Sequence, residues 1–143
     1  MLIKFKNRGR GFSGLGGRAF LKKKHHESAL QEEFARWLDS EGVLFTASCA
    51  GMRTHPRAGA RMKRMGAKKG VPDIMIFEPR WKYHGLMIEL KSKDGHASKE
   101  QIAWRDALNF KGYHAAIMPK GLGLEEGLEW CKKLVTEYMN CRR

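Results

Sequence analysis

Two short segments of the sequence place acidic residues and a lysine in an otherwise apolar context. Asp73 begins one apolar run, and Glu89 and Lys91 flank Leu90 in a second. Side chains alternate across a β-strand, so Glu89 and Lys91 share a face. Charged groups are costly to bury without a partner or a role. If two neighbouring strands bring the two carboxylates together, their repulsion favours a divalent cation such as Mg²⁺ or Mn²⁺, which prefers hard oxygen ligands.

This set of residues is suited to the hydrolysis of a phosphodiester. A cation held by the two acids would stabilise negative charge on the phosphate. Lys91, next to that cation, would orient or deprotonate a water molecule. The alternative is a simple pair of Glu89 and Lys91 on a solvated strand face, which the apolar neighbours disfavour.

The elements that must position these residues follow from hydrophobic periodicity. Helices are predicted from His26 to Ser40, from the N-cap Ser98 to about Phe110, and along the stripe from Leu124 to Tyr138. Strands are predicted at Val43–Ala47, Asp73–Phe77, Gly85–Lys91 and Tyr113–Met118. The order α-β-β-β-α-β-α predicts an α/β fold, a mixed central sheet flanked by helices. Residues 1–25 are interpreted as a basic, Gly-rich arm and residues 26–143 as a single domain.

The net charge of the 143-residue chain is +13, from 28 basic and 15 acidic residues. Two stretches without any acid hold much of the excess, eight basic residues in 1–26 and seven in 51–70. Such clustering indicates a nucleic-acid partner more than a solubilising tail. The predicted DNA-binding residues are Arg53, Arg57, Arg61, Lys63, Arg64, Lys68 and Lys69.

Several features predict a cytoplasmic protein that is neither secreted nor bound to a membrane. The apolar runs are far shorter than the roughly 18 residues of a membrane span. Met1–Lys6 lacks the apolar region of a signal peptide. The three cysteines form no CxxC pair, which is typical of free thiols in a reducing compartment.

An ordered set of motifs resembles a known group of nucleases. Pro72-Asp73 followed by Glu89-Leu90-Lys91 resembles the signature of the PD-(D/E)XK nuclease superfamily. A longer series is similar to the VRR-NUC family, the virus-type replication-repair nucleases. That series comprises Gly70-Val71-Pro72-Asp73, Ile88-Glu89-Leu90-Lys91, Ser98-Lys99-Glu100-Gln101, Trp104, Leu108 and Gly112. The resemblance extends from about His26 to Tyr138 and does not include the basic arm.

The resemblance implies a metal-dependent nuclease with a restriction-endonuclease-like core and no small-molecule cofactor. Asp73, Glu89 and the carbonyl of Leu90 would bind Mg²⁺ or Mn²⁺. Lys91 would position the attacking water, and Gln101 would support Lys91 or the scissile phosphate. Cleavage would leave a 5′-phosphate and a 3′-hydroxyl.

The resemblance also implies a glutamate on the first helix, for which Glu27, Glu32 and Glu33 are candidates. At about 100° per residue, Glu27 falls inside the apolar stripe, Glu33 at its edge and Glu32 on the solvent side. Glu27 is therefore preferred as a ligand of a second ion or of a coordinated water; the alternative is an acid that interacts with the helix dipole. Gln101 has an alternative too, a capping box with Ser98, and it can serve both roles.

The expected function is that of a homodimeric endonuclease of branched DNA in DNA repair. Stand-alone family members of this size resemble junction resolvases, so a Holliday junction is the favoured substrate. One alternative is a non-catalytic, basic nucleic-acid-binding protein, which explains the charge but not the placement of the acids. Others are a nuclease of flaps or linear DNA and a sequence-specific restriction-type nuclease, for which the chain is short.

Overall fold

The computed structural model describes the backbone of residues 21–48 and 55–141, with side chains from residue 27 onward in those ranges. The elements are α1 (Leu21–Ser40), β1 (Phe45–Ala47), α2 (Pro56–Arg64), β2 (Ile74–Ile76), β3 (Leu86–Glu89), α3 (Lys99–Phe110), β4 (His114–Ile117) and α4 (Leu124–Asn140). Helix α1 begins earlier than the predicted start at His26. Most of the predicted arm, residues 1–20, lies outside the described residues, and the division into arm and domain stays a prediction.

The four strands form one mixed sheet in the order β1-β2-β3-β4. β1 and β2 pair antiparallel, as do β2 and β3, whereas β3 and β4 are parallel. Helix α3 makes the crossover that a parallel pair requires. The mixed sheet with helices around it confirms the predicted α/β class. β3 is buried along its whole length, so it is the strand covered on both faces.

The core lies between the sheet and the pair of helices α1 and α4. Leu30, Phe34 and Leu38 of α1 are fully buried, and Trp37 packs against them, which confirms the predicted stripe. Burial of each such side chain contributes about 1.5–3 kcal/mol. The strands, the residues that directly follow β3 and β4, and α4 supply the rest of this core: Ile74, Ile76, Leu86, Ile88, Leu90, Met118, Cys131, Val135 and Tyr138. No helix in the described ranges combines the length and apolarity needed to cross a bilayer.

Helix α2 was not predicted from the sequence, which suggested a loop for the whole basic stretch. Pro56 occupies its first turn, where proline is favoured, and the His55 imidazole accepts a hydrogen bond from the Arg57 N–H at 3.4 Å. None of its residues is buried. Only Gly59 and Met62 are even half-buried, so α2 adds nothing to the core from which the other elements were predicted.

Candidate active site

The pairing of β2 with β3 brings the two predicted carboxylates together. Ile74 is the register partner of Ile88 in this antiparallel pair, and one further step along the ladder sets Asp73 opposite Glu89. Alternation directs both acids to the sheet face opposite the one that Ile74 and Ile88 bury in the core. Side chains directly opposite have Cβ atoms about 4.5–5.5 Å apart, at which like charges destabilise the pair.

Asp73 is anchored from the strands on both sides. Its Oδ2 accepts a hydrogen bond from the Leu90 N–H at 2.8 Å, and its carbonyl accepts one from the Ser48 N–H at 2.8 Å. Burial raises the pKa of the Asp73 carboxyl, while the Leu90 N–H and the Lys91 ammonium oppose that rise. The side chain is therefore held in place in a region that disfavours its charge.

Glu89 is the most constrained group of the site. Glu89 is 4% exposed and Lys91 is 6% exposed. The Lys91 Nζ donates to Glu89 Oε1 at 2.7 Å, and the Gln101 Nε2 donates to the same oxygen. Burial raises the pKa of Glu89 to about 7, the charge of Asp73 adds to the rise, and Lys91 limits it. A buried ion pair thus coexists with a second carboxylate, and the single Lys91 ammonium lowers the pKa of both acids.

Gln101 links the first turn of α3 to Glu89. The Ser98 Oγ accepts from the Gln101 N–H at 3.2 Å, and the Gln101 Oε1 accepts from the Ser98 N–H at 2.8 Å, which confirms the predicted capping box. The other end of the same amide, Nε2, donates to Glu89. One side chain therefore caps the helix and fixes the orientation of the carboxylate.

Gly70 lets the loop before Asp73 approach the first turn of α3. Its φ is +82°, and a Cβ there would lie 2.6 Å from the carbonyl carbon of Glu100 and 2.8 Å from the nitrogen of Gln101. The two segments thus pack backbone against backbone. The sequence contains Gly70 within a motif, but nothing local to the motif identifies its partner.

Replacement of Gly70 by Ala is expected to destabilise the fold more than the matched change Gly121→Ala. Gly121 has φ +92°, and a methyl group there would have no atom within 4 Å, so alanine meets only the backbone cost, about 1–2 kcal/mol. Gly70→Ala adds a collision with backbone and pulls Gln101 away from Glu89. Urea unfolding of both variants measures the difference, and equal losses would contradict this packing role.

Two buried side-chain oxygens near Asp73, Glu89 Oε2 and Ser48 Oγ, have no hydrogen-bond partner among the described residues. Ser48 was not predicted, because only the pairing of β1 with β2 places it beside Asp73. An unpaired carboxylate oxygen next to a second carboxylate fits a hard divalent cation. Within the described ranges, no three acidic, histidine or cysteine side chains form a group able to hold a metal. Backbone carbonyls and water would have to complete a ligand set.

The structure distinguishes among the three candidate glutamates of α1. Glu27 is half-buried, whereas Glu32 and Glu33 are exposed. The charge of Glu27 contributes to the raised pKa of Glu89, so it lies within electrostatic range of the site. This placement agrees with the helical projection, although Glu27 does not join the two strand carboxylates in a three-residue metal group.

The predicted DNA-binding residues lie on and after α2, except Arg53, which is outside the described residues. All six that the structure describes are exposed: Arg57, Arg61, Lys63, Arg64, Lys68 and Lys69. Salt bridges within the described ranges involve none of them. Arg57, Arg61 and Arg64 share one face of the helix by their spacing. This basic surface leads directly into Gly70 and Asp73.

Comparison with known proteins yields one family and a structural neighbour. The family model of the VRR-NUC domain matches residues 18–119, a range that contains Glu27, Asp73, Glu89, Lys91 and Gln101. A solved structure with the name "VRR_NUC domain protein" is similar at a TM-score of 0.58 and 28% sequence identity. The similarity covers 80% of this chain and 88% of that one. No curated protein has a matching sequence.

Proposed function

The chain belongs to the VRR-NUC family, and on that premise we propose that it is a Mg²⁺- or Mn²⁺-dependent endonuclease of branched DNA. Membership implies a nuclease-type function on DNA, and nucleases of this family generally use divalent metals. The observation that carries the proposal is the opposed pair of carboxylates, half-buried Asp73 and buried Glu89, with the Lys91 ammonium 2.7 Å from Glu89. A protein that only binds DNA gains nothing from two acids that repel each other next to its basic surface.

Each residue of the site has a distinct proposed role. Asp73, Glu89 and the carbonyl of Leu90 hold the divalent cation. When bound, that cation stabilises negative charge on the phosphate and activates water. Lys91 places its side-chain nitrogen beside the carboxylates and orients the attacking water. Gln101 occupies Glu89 Oε1 and so leaves Oε2, the oxygen without a partner in the described ranges, directed to the ligand.

Glu27 and the basic surface complete the proposed site. Glu27 adds negative charge within range of Glu89 and is proposed to bind a second ion or an ordered water. The exposed cations on α2 and the loop that follows it are proposed to contact the phosphates on either side of the scissile bond. Those contacts place the backbone over the carboxylates without reading its sequence.

We further propose that the enzyme acts as a homodimer on four-way junctions. Resolution of a Holliday junction needs two symmetric cuts, and a chain with one site needs a second copy to make them. A junction and a linear duplex of matched sequence, each with and without Mg²⁺, provide the test. We expect Mg²⁺-dependent cleavage of the junction and a dimeric mass in light scattering. A mass near 16.4 kDa with equal cutting of both DNAs would contradict the resolvase proposal, and no cutting with Mg²⁺ or Mn²⁺ would contradict the nuclease proposal.

The raised pKa of Glu89 leads to a prediction about metal binding and pH. Its pKa of about 7 in the folded protein lies above the ordinary value of 4.5, so the contribution of Glu89 to stability is present below about pH 4.5 and is lost as the pH rises through about 7. The metal-free protein should therefore lose stability toward about pH 8, where two carboxylates are charged. A cation that binds Glu89 must displace its proton at lower pH, so the affinity for Mg²⁺ should increase with pH.

Thermal unfolding with EDTA or with millimolar Mg²⁺ measures this effect. We expect Mg²⁺ to raise the Tm more at about pH 8 than at about pH 6. Asp73→Asn is the control, because the amide oxygen still accepts from the Leu90 N–H while the charge is removed. This variant should show little response to Mg²⁺. If the rise in Tm with Mg²⁺ did not depend on pH, or if Asp73→Asn retained it, Asp73 and Glu89 would not be the ligands of the cation.

A further inference from the structure

The turn between β2 and β3 holds a tryptophan in a conformation that side chains rarely adopt. The Arg80 N–H donates to the Tyr83 carbonyl at 3.1 Å and the Tyr83 N–H to the Arg80 carbonyl at 2.8 Å, so Trp81 and Lys82 form a two-residue turn. Trp81 has φ +47°, the one positive φ among the described non-glycine residues. Glycine usually takes such a first turn position, and a bulky residue is strained there.

Burial does not compensate for this strain. Trp81 is 55% exposed, and its ring meets Tyr83 edge-on at a centroid distance of 6.1 Å. Tyr83 in turn contacts the rings of His114 and Tyr138, and the Tyr138 hydroxyl donates to the Glu78 carbonyl at 2.7 Å. These contacts hold Tyr83, on one side of the turn, against the protein, while the Trp81 indole is exposed to solvent.

A cation accompanies the exposed ring. The Lys82 Nζ lies 4.5 Å from the centroid of the Trp81 ring, and Lys82 is itself exposed. An aromatic face with a neighbouring ammonium is the combination that binds single-stranded nucleic acids, in which the ring stacks on a base and the cation meets a phosphate. The chain has a net charge of +13, which attracts it to polyanions such as nucleic acids.

The turn is distant from the candidate active site. Asp73 and Glu89 lie at one end of β2 and β3, whereas Trp81 lies at the other, eight residues along the chain from each acid. Eight extended residues span at most about 29 Å. That length corresponds to roughly eight base pairs at about 3.4 Å each. One DNA molecule can therefore reach both places.

We propose that Trp81 and Lys82 form a second DNA contact, which stacks on unpaired bases of the substrate away from the scissile phosphate. The proposal rests on DNA as the partner, and it extends the proposed substrate from the fully paired four-way junction to branched DNA that also carries a single-stranded segment. Glycine would adopt this turn without strain. The presence of a strained, exposed tryptophan in its place therefore points to a role for the indole ring.

The test measures binding in EDTA, so that no cleavage is required, with labelled oligothymidylate and a blunt duplex as probes. Trp81→Gly relieves the strain and is expected to raise the Tm, while it weakens oligothymidylate binding by roughly 5- to 100-fold and leaves duplex binding unchanged. Trp81→Phe keeps an aromatic ring and should retain most of the affinity. Lys82→Met should lower the slope of log affinity against log salt by about 0.7, whereas Trp81→Gly should leave that slope unchanged.

Three results would overturn the proposal. The first is unchanged oligothymidylate binding by Trp81→Gly, and the second is an equal loss on both DNAs. The third is a loss of dimer mass in Trp81→Gly, which would assign the turn to a contact between copies of the chain. Cleavage of branched DNA with Mg²⁺ is measured in parallel, so an inactive protein with the expected binding pattern would contradict only the nuclease proposal.

Discussion

Replacement of Lys91 by methionine is expected to reduce cleavage of branched DNA by at least about 100-fold, with DNA binding retained. Methionine preserves the apolar stem of a side chain that is 6% exposed and removes the ammonium 2.7 Å from Glu89 Oε1. Because Lys91 is buried and its ammonium pairs with Glu89, we expect its loss to affect the transition state more than the ground state. A reduction in kcat with little change in KM follows.

Single-turnover cleavage and a separate binding assay in EDTA test this prediction. Lys93→Ala is the matched control, because Lys93 is two residues away, exposed and without a contact to either carboxylate. Asp73→Asn should be as inactive as the Lys91 variant. Cleavage at the wild-type rate by Lys91→Met would show that the site lies elsewhere. An equal loss of cleavage in Lys93→Ala would show that cleavage depends on nearby positive charge in general and not on Lys91.

Much of the site follows from the periodicity of its elements. Alternation predicts that Glu89 and Lys91 share a face. That Asp73 meets Glu89 depends on the two strands being neighbours, which the register of β2 with β3 establishes. The spacing of Ser98 and Gln101 predicts the capping box, and the structure shows the same Gln101 side chain in that cap and in a contact with Glu89. These features are local in sequence, or one strand apart, and local patterns determine them.

The features that the sequence did not predict depend on contacts between distant segments or on broken local rules. Helix α2 buries no residue in the core, and its few apolar residues lie within a stretch dominated by arginine and lysine. Gly70 is needed because of the backbone at Glu100, and Ser48 is placed by the pairing of β1 with β2. A turn between the two strands is predicted, at Pro79–His84, but nothing in the sequence assigns Trp81 to its positive-φ position, which usually takes glycine.

Replacement of Arg57, Arg61 and Arg64 by alanine is expected to weaken DNA binding roughly 100-fold at about 0.15 M salt. The same triple change should flatten the dependence of log affinity on log salt by about 2.7, because each duplex phosphate contact contributes about 0.9. The fold should be unaffected, since α2 has no buried residues and alanine favours helix. A salt titration of binding in EDTA measures both quantities.

A second triple variant separates local contacts from net charge. Arg36 on α1, Lys111 after α3 and Lys133 on α4 are exposed. Their replacement by alanine removes the same number of positive charges, three, from elsewhere on the protein. If α2 follows the phosphate backbone, this control should leave the salt slope nearly unchanged. Equal flattening by the two triples would mean that the helix makes no specific contact and that the charge of the chain alone attracts DNA.

The α2 triple and the Lys91 variant should also differ in their kinetics. Arginines that contact phosphates away from the scissile bond bind the ground state and the transition state equally, so their loss raises KM and leaves kcat at saturation unchanged. Lys91→Met is expected to show the opposite pattern, a lowered kcat at an unchanged KM. If the arginine triple lowered kcat at saturating DNA, α2 would have to position the scissile phosphate itself. The connection from α2 through Gly70 to Asp73 would then transmit that effect, since Gly70 packs against the helix turn that carries Gln101.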